Sequence, residues 1–519
     1  MGTRWPIDRA SEIQIDGGSF AHFCAFPLKS FSLTNYRVHP VQSTHRNNTM
    51  VAEHLTIRNL TSTPITLKRI ERFRSPDHYS NGLFCVTSSI SRIWSSSVAT
   101  IKHNVHPFAE EEVDIHVAPF TSVKTERRTF IDSRKERLRW SLEVEGEKHQ
   151  VQTPIPTAES ATMNALCDQP RFQFTGIYVT PESHLAIYSS ANLNAWMREL
   201  KDDTLLSSLS IPGTHNSPTC HFAPPSVRCQ AVGPREQLQN GVRFFDIRVQ
   251  PLYPDNPDRD ELVLVHGVFP ISLTGRHYFR DVMRNVNDFL DKNPSETLII
   301  CLKREGPGTH TDEQLSRILH DHYARPDSKW YTEPKIPTLG EVRGKVVLMR
   351  RFNIEERLTH AHDNRGWAID AAGWADNAAH AFCPSGQVCI QDFYAVMDPS
   401  AITQKVDLVN QQCHRASETC YPFGVLPGPG ATRQHPFYIN FLSASNFWKL
   451  GTWPEKIAGR LNPAVVDYLC RKHSEAEGEC DWSTGILVTD WVGYGGDWDL
   501  VRCVVGMNSR LRLRQLRCE

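Results

Sequence analysis

The sequence predicts an α/β chain in two parts, an antiparallel β-sandwich followed by a parallel sheet built from alternating strands and helices. Three observations carry this expectation. Residues 20–151 place apolar side chains at a spacing of two, as strands with one buried face require. Beyond residue 196, strand-like apolar runs alternate with helical spacing, the pattern of βα units in a doubly wound sheet or a barrel. Between the two, residues 152–170 lose both rhythms and hold three prolines, which marks a connection. A chain of 519 residues also exceeds what one core usually serves. We expect the sandwich at 1–160, a linker at 161–195 and the second domain at 196–519.

In the first part, Val113, Ile115 and Val117 alternate with Asp114 and His116. Leu138, Trp140, Leu142 and Val144 alternate with polar neighbours, and Gly146 and Glu147 then turn the chain into a hairpin. Further strands are expected at 51–58, 63–70 and 82–88. In the second part, strands are expected at 206–213, 242–249, 262–267, 297–303, 345–351 and 485–491. Helices fall at 277–292, where Tyr278, Val282, Val286 and Phe289 share a face, and at 312–323.

Charge and composition exclude several classes. Fifty-seven Lys and Arg stand against 58 Asp and Glu, so nothing favours a nucleic-acid partner. No apolar run reaches the roughly 18 residues of a spanning helix. The first eighteen residues lack the apolar segment of a secretory signal, so we expect a cytoplasmic protein that visits membranes transiently. Fourteen Cys without a CxxC pair read as buried free thiols rather than a zinc or disulfide framework. Asn47 and Asn59 head glycosylation sequons, which matter only for an exported chain. The basic runs at 67–74 and 509–517 read as solvated charge, the second as a tail or edge strand.

The chemistry lies at strand ends. His215 with Asn216, Asp246 with Arg248, His266, Lys303 with Glu305, and Asp490 each follow an apolar run and have no packing reason to be there. In a parallel barrel such endings converge on one mouth. Two imidazoles suit the cleavage of a phosphate diester, one taking the proton of the attacking hydroxyl and the other protonating the leaving oxygen. An Arg fork bonds two phosphate oxygens and stabilises charge developing on them.

SIPGTHNSP, GVRFFDIRV, LVLVHG, NPSETLIICLKRE, GKVVLMRRF, CIQDFYAV, YINFLSAS and VTDW follow one another from about Trp196 to Trp498. This series resembles the X-domain family of phosphatidylinositol-specific phospholipases C, small bacterial type. The resemblance implies a distorted, incompletely closed (βα)8 TIM-like barrel. It also implies attack of the inositol 2-hydroxyl on phosphorus, giving diacylglycerol and a cyclic inositol phosphate. By that resemblance His215 is the general base, His266 the general acid, Asp490 the carboxylate that orients His215, and Arg248 the phosphate holder. Lys303, Arg351 and Asp392 line the inositol pocket, Tyr394 lies against the ring, and Asp246 supports the pocket. The small bacterial enzymes carry Asp where this chain has Asn216, and there the carboxylate supports the acid imidazole; an amide cannot compensate imidazolium charge. Animal members use Asn there as a calcium ligand, but Arg248 and Lys303 occupy positions where that site needs acids. Calcium wants six to eight oxygens, so we expect no metal and no cofactor.

The expected partner is an inositol phospholipid in a membrane surface. Phe222, and Phe447, Trp448 and Trp453, are candidates for the aromatic rim that touches it. Two other functions fit the same residues. One is a catalytically weak or silent protein that binds lipid or inositol phosphate, and the other a phosphodiesterase for a different inositol-containing diester.

Overall fold

The computed structural model describes residues 53–74, 105–129, 136–153, 160–166, 169–180, 182–190, 192–224, 226–325, 327–418, 435–446, 449–474 and 482–517. The strand expected at 82–88, the Asn47 sequon, Phe447 and Trp448 lie outside these residues. Those described belong to one compact unit that begins at Ala52.

The amino-terminal part forms two five-stranded sheets. Strands β1 (Thr56–Leu60), β2 (Ile65–Arg74), β3 (Ala109–Val117), β4 (Glu136–Val144) and β5 (Glu147–Thr153) lie here, and β3, β4 and β5 follow the alternation read from the sequence. In β4, Leu138, Trp140, Leu142 and Val144 are all within 2% of full burial. The β4–β5 turn is made by Glu145 and Gly146, both left-handed at φ 45° and 85°, which matches the twist of the strands it joins. The basic run at 67–74 lies in β2. There Lys68 pairs with Asp114, Arg69 with Glu110 and Arg72 with Glu136, so its charge is met across strands.

The stretch expected as linker at 161–195 holds, besides short pairings at Ser160–Thr162 and Asn164–Ala165, two full strands: β6 (Phe174–Val179) and β7 (His184–Ser189). Every residue of β6 is buried, so no alternation exists to be read. One face joins the cluster shared by the two sheets through Phe174, Tyr178, Leu185 and Ile187. The other, through Ile177, Val179, Ala186 and Tyr188, packs on helices of the second part. β7 also pairs with β1 in parallel, so the sheets are not purely antiparallel. Asn59 in β1 is buried, its Nδ2 donating to the carbonyls of Thr63 and Val117 at 2.8 and 3.0 Å, and is no surface acceptor.

The second part is a curled sheet. Strands β8 (Ile211–Thr214), β9 (Phe244–Pro251), β11 (Leu298–Arg304), β12 (Val346–Arg351), β13 (Val388–Gln391), β14 (Phe437–Phe441) and β15 (Ile486–Thr489) run parallel in the order β12-β11-β9-β8-β15-β14-β13. Among the described residues no ladder joins β12 to β13, so hydrogen bonding does not close the sheet. The remaining expected strand, β10 (Leu262–His266), runs antiparallel to β9 with Val249 opposite Leu264. A hydrophobic run carries no direction, which is why the sequence did not reveal this reversal. Helix α1 (Phe279–Lys292) buries Val282, Val286 and Phe289 as its spacing requires. Helices α3 (Pro454–Arg471) and α4 (Asp499–Arg517) meet β7, and α2 (Ala401–Ser417), packed on α3, belongs to the same hydrophobic cluster.

Contacts at this junction are specific. Arg58 of β1 donates to the carbonyls of Cys470 and His473 at 3.2 and 2.6 Å, satisfying the carboxyl end of α3. A Cβ on Gly506 of α4 would stand 2.6 Å from the Tyr188 ring, so only glycine permits this approach. The basic run at 509–517 belongs to α4 rather than to a tail or edge strand. Arg510 lies over the rings of Phe120 and Trp482, and Arg512 pairs with Glu199.

Candidate active site

Strand register builds the site in two tiers. Thr214 pairs with Phe245 on one side and Thr489 on the other, so the next residues, Asp490, His215 and Asp246, stand in one row. One tier higher, Arg248 pairs with Lys303 and Lys303 with Arg351. Asp246 and Arg248 are two apart and share the face of β9 that looks into the mouth, whereas Ile247 between them enters the core. The β9–β10 hairpin then returns the chain, and continuing its register sets His266 beside Ile247 at the level of His215.

His215 and His266 are therefore neighbours, ring centroids 5.7 Å apart and planes at 87°. His215 Nδ1 lies 2.8 Å from Asp490 Oδ1, and His266 Nδ1 donates to the Val227 carbonyl at 2.9 Å. A carbonyl and a carboxylate only accept, so both rings carry hydrogen on Nδ1 and present Nε2 to the mouth. Burial disfavours charge on His215, but Asp490, with the Cys229 thiol adding to it, outweighs burial and raises its pKa well above the ordinary imidazole value.

Asn216 does not support His266. It adopts a left-handed backbone at φ 43°, tolerated by Asn, and its backbone N–H donates to Asp246 Oδ2 at 3.2 Å. Its amide Nδ2 sits 3.0 Å from Nε2 of His215. Expected beside the acid, this residue instead touches the base, because the left-handed turn directs it back over His215.

The side chain beside His266 is Cys229, whose Sγ lies 3.8 Å from Nδ1 of the ring. Burial and Asp490 push this thiol up, but His215 and His266 outweigh them and lower it to about 7. One cysteine among fourteen carries no positional signal, so sequence reasoning missed it.

The upper tier is an ionic lattice. Arg248 donates to Asp246 Oδ2 at 3.2 Å and Glu305 Oε1 at 2.9 Å. Lys303 also meets Glu305 at 2.9 Å, and Glu305 accepts the Gly267 backbone N–H at 2.7 Å. Burial opposes ionisation of Glu305 and Asp246, but the cations around them win and hold both carboxyls below the usual range. Arg351 lies 3.8 Å from Asp246 and 3.7 Å from Asp392, bridging strand ends from opposite margins of the sheet, so the sheet is curled even without a closing ladder. Trp374, also missed, stacks under Arg351 at 3.8 Å and donates to Asp392 at 2.9 Å. Tyr394 is 40% exposed and donates to Asp376. Beneath, Lys405 is fully buried and donates to Gln391 Oε1 at 3.0 Å; burial lowers it to about 7 against the pull of Asp392 and Asp490.

Buried polar atoms without a hydrogen-bond partner gather here among the described residues: Asn216 Oδ1, Asp246 Oδ1, Arg248 Nε, Arg351 Nε and Nη1, and Asp490 Oδ2. Such a concentration is what a polar ligand satisfies. Near the mouth, Phe222 is 71% exposed, and its carbonyl accepts from the backbone N–H of Leu273, itself 57% exposed. Trp453 is half-buried at the start of α3. Among the described residues no helix is long and apolar enough to cross a membrane.

The mouth of the curled parallel sheet thus gathers two histidines, an arginine and a lysine among carboxylates. Residues 203–352 match the family model described as phosphatidylinositol-specific phospholipase C, X domain. Over 322 residues the chain is 29% identical to 1-phosphatidylinositol phosphodiesterase of Listeria monocytogenes, covering 59% of this chain and 83% of that one. The Staphylococcus aureus (strain Newman) protein of the same name is 25% identical over 344 residues, 63% of this chain and 98% of that one. Among solved structures, phosphatidylinositol-specific phospholipase C from Listeria monocytogenes aligns at 22% identity with a TM-score of 0.44, covering 61% of this chain and 99% of that one.

Proposed function

We propose that this protein cleaves phosphatidylinositol to diacylglycerol and a cyclic inositol phosphate without a metal ion. The observation that carries the proposal is the facing pair His215 and His266, 5.7 Å between centroids, with Asp490 bonded to the former. The X-domain match and the names of the relatives support the same substrate. Nε2 of His215 takes the proton of the inositol 2-hydroxyl as that oxygen attacks phosphorus, and Nε2–H of His266 protonates the departing glycerol oxygen. Asp490 fixes the tautomer of His215. Arg248 keeps Nε for a phosphate oxygen, and its two carboxylate partners hold the guanidinium in place. Lys303, Arg351 and Asp392 bond inositol hydroxyls, with Tyr394 against the ring. Head groups lacking those hydroxyls leave these groups unpaired and are rejected. We read the curled sheet as an incompletely closed TIM-like barrel and the two amino-terminal sheets as a sandwich. Phe222 and Trp453 serve as the rim at the lipid surface.

The test is incubation of the purified protein with phosphatidylinositol vesicles in EDTA, following cyclic inositol phosphate by phosphorus NMR. Turnover abolished by His215→Asn and by His266→Asn is the expected result. The amide of Asn216, 3.0 Å from the Nε2 of His215 that must accept the proton, favours a second function, a binding protein without turnover. Vesicle or inositol-phosphate binding with no product in EDTA would establish it instead.

A further inference from the structure

We propose that His215, Cys229 and His266 form a binding site for a zinc-class divalent ion, which enters the reaction centre as an inhibitor rather than as a cofactor. The ligand atoms these residues offer all lie within 4.8 Å of one another. Tetrahedral zinc with bonds of about 2.0–2.3 Å sets its ligands roughly 3.3–3.8 Å apart, so a small inward movement of the side chains completes the set. Two imidazoles and a thiolate select zinc and its neighbours, and reject calcium and magnesium, which require oxygen.

The surroundings are those of a metal site. Nδ1 of His215 is held by Asp490 at 2.8 Å and Nδ1 of His266 by the Val227 carbonyl at 2.9 Å. Zinc sites use such partners to orient imidazole ligands and fix the tautomer. Three protein ligands leave a fourth position. The buried Asn216 Oδ1 has no hydrogen-bond partner, and its amide Nδ2 lies 3.0 Å from Nε2 of His215. A half-turn of that amide brings its oxygen to the ion or to a water on it.

Binding would engage both imidazoles that proton transfer needs. The inhibitory sense of the inference therefore rests on the proposed function, whereas the site itself does not.

The experiment uses the full-length protein, stripped of metal and titrated with zinc chloride against a chromophoric chelator. One equivalent should bind, and Cys229→Ser and His266→Asn should each weaken it by about 100-fold or more. Cobalt(II) added to the wild-type protein should give a thiolate-to-metal charge-transfer band, a readout that needs no variant to fold. Absence of a stoichiometric site, absence of that band, or unchanged zinc affinity in folded Cys229→Ser overturns the proposal. Zinc should abolish phosphatidylinositol cleavage and EDTA restore it; cleavage that persists in the zinc-loaded protein overturns the inhibitory role. Zinc held through Cys229 by a protein with no cleavage in EDTA would leave the site standing and defeat the proposed function.

Discussion

At the scale of single residues, the proposed base His215 and its partner Asp490 should set the pH at which the site works. Asp490 raises the His215 pKa, and a base must be neutral, so kcat/KM should rise with pH along a limb lying above the ordinary imidazole value. Asp490→Asn removes the charge and the tautomer control together. We expect that limb to move to lower pH and kcat to fall about 100-fold or more. Asn216→Asp should act in the opposite sense on the limb. Its carboxylate would meet Nε2 of His215, already 3.9 Å from Asp246, and hold the proton the base must lose, so turnover at neutral pH should drop. A rise in turnover would show that position 216 serves His266 after all. Lys405 gives a stability prediction. Its pKa is about 7 in the folded protein against an ordinary 10.5, so between these values the unfolded chain binds a proton that the folded one does not. Stability should climb with pH across that window and stay flat below it. Lys405→Met should therefore stabilise by a few kcal/mol, more at pH 6 than at pH 10, as urea unfolding at the two pH values would measure.

At the scale of elements, strands were legible either from one wet face or, as in β11 and β12, from an unbroken apolar run between turns; β6 and β7 offered neither signal. β4 could be read from Leu138, Trp140, Leu142 and Val144, because solvent on one side imposes alternation. β6 and β7 are covered on both faces, and the prolines before them suggested a linker. The strand-end residues were legible for the converse reason: Asp246, Arg248, Lys303 and Asp490 are polar where packing asks for nothing polar. Trp374 and Cys229 come from connecting segments, where no period exists to betray them. The junction between β7 and α4 offers a test of the double covering. Gly506→Ala would drive a methyl into Tyr188, and we expect a loss of roughly 1–3 kcal/mol. Arg58→Ala would strip two buried carbonyls of their donor, costing about 2 kcal/mol. Both losses should appear in thermal melts without any change in the pH profile of activity.

At the scale of the whole molecule, one hydrophobic cluster holds Leu60, Ile177 and Tyr188 together with Val409, Leu461 and Val504. The amino-terminal sheets are thus built into the packing of the enzyme, although the relatives align with only 59% and 63% of this chain. Differential scanning calorimetry of the intact protein should show a single transition; two well-separated transitions would mean that the halves melt independently. The antiparallel course of β10 has a consequence for how the protein fails under heat. His215, the proposed proton acceptor, is anchored to the parallel framework, whereas His266, the proposed donor, rides on a ribbon tied to that framework by β9. Fraying of this ribbon disarms departure of the glycerol while leaving attack intact. On warming, hydrolysis of the natural lipid should fade before ellipticity does, and a substrate with an activated phenolic leaving group, which needs no donor, should outlast it.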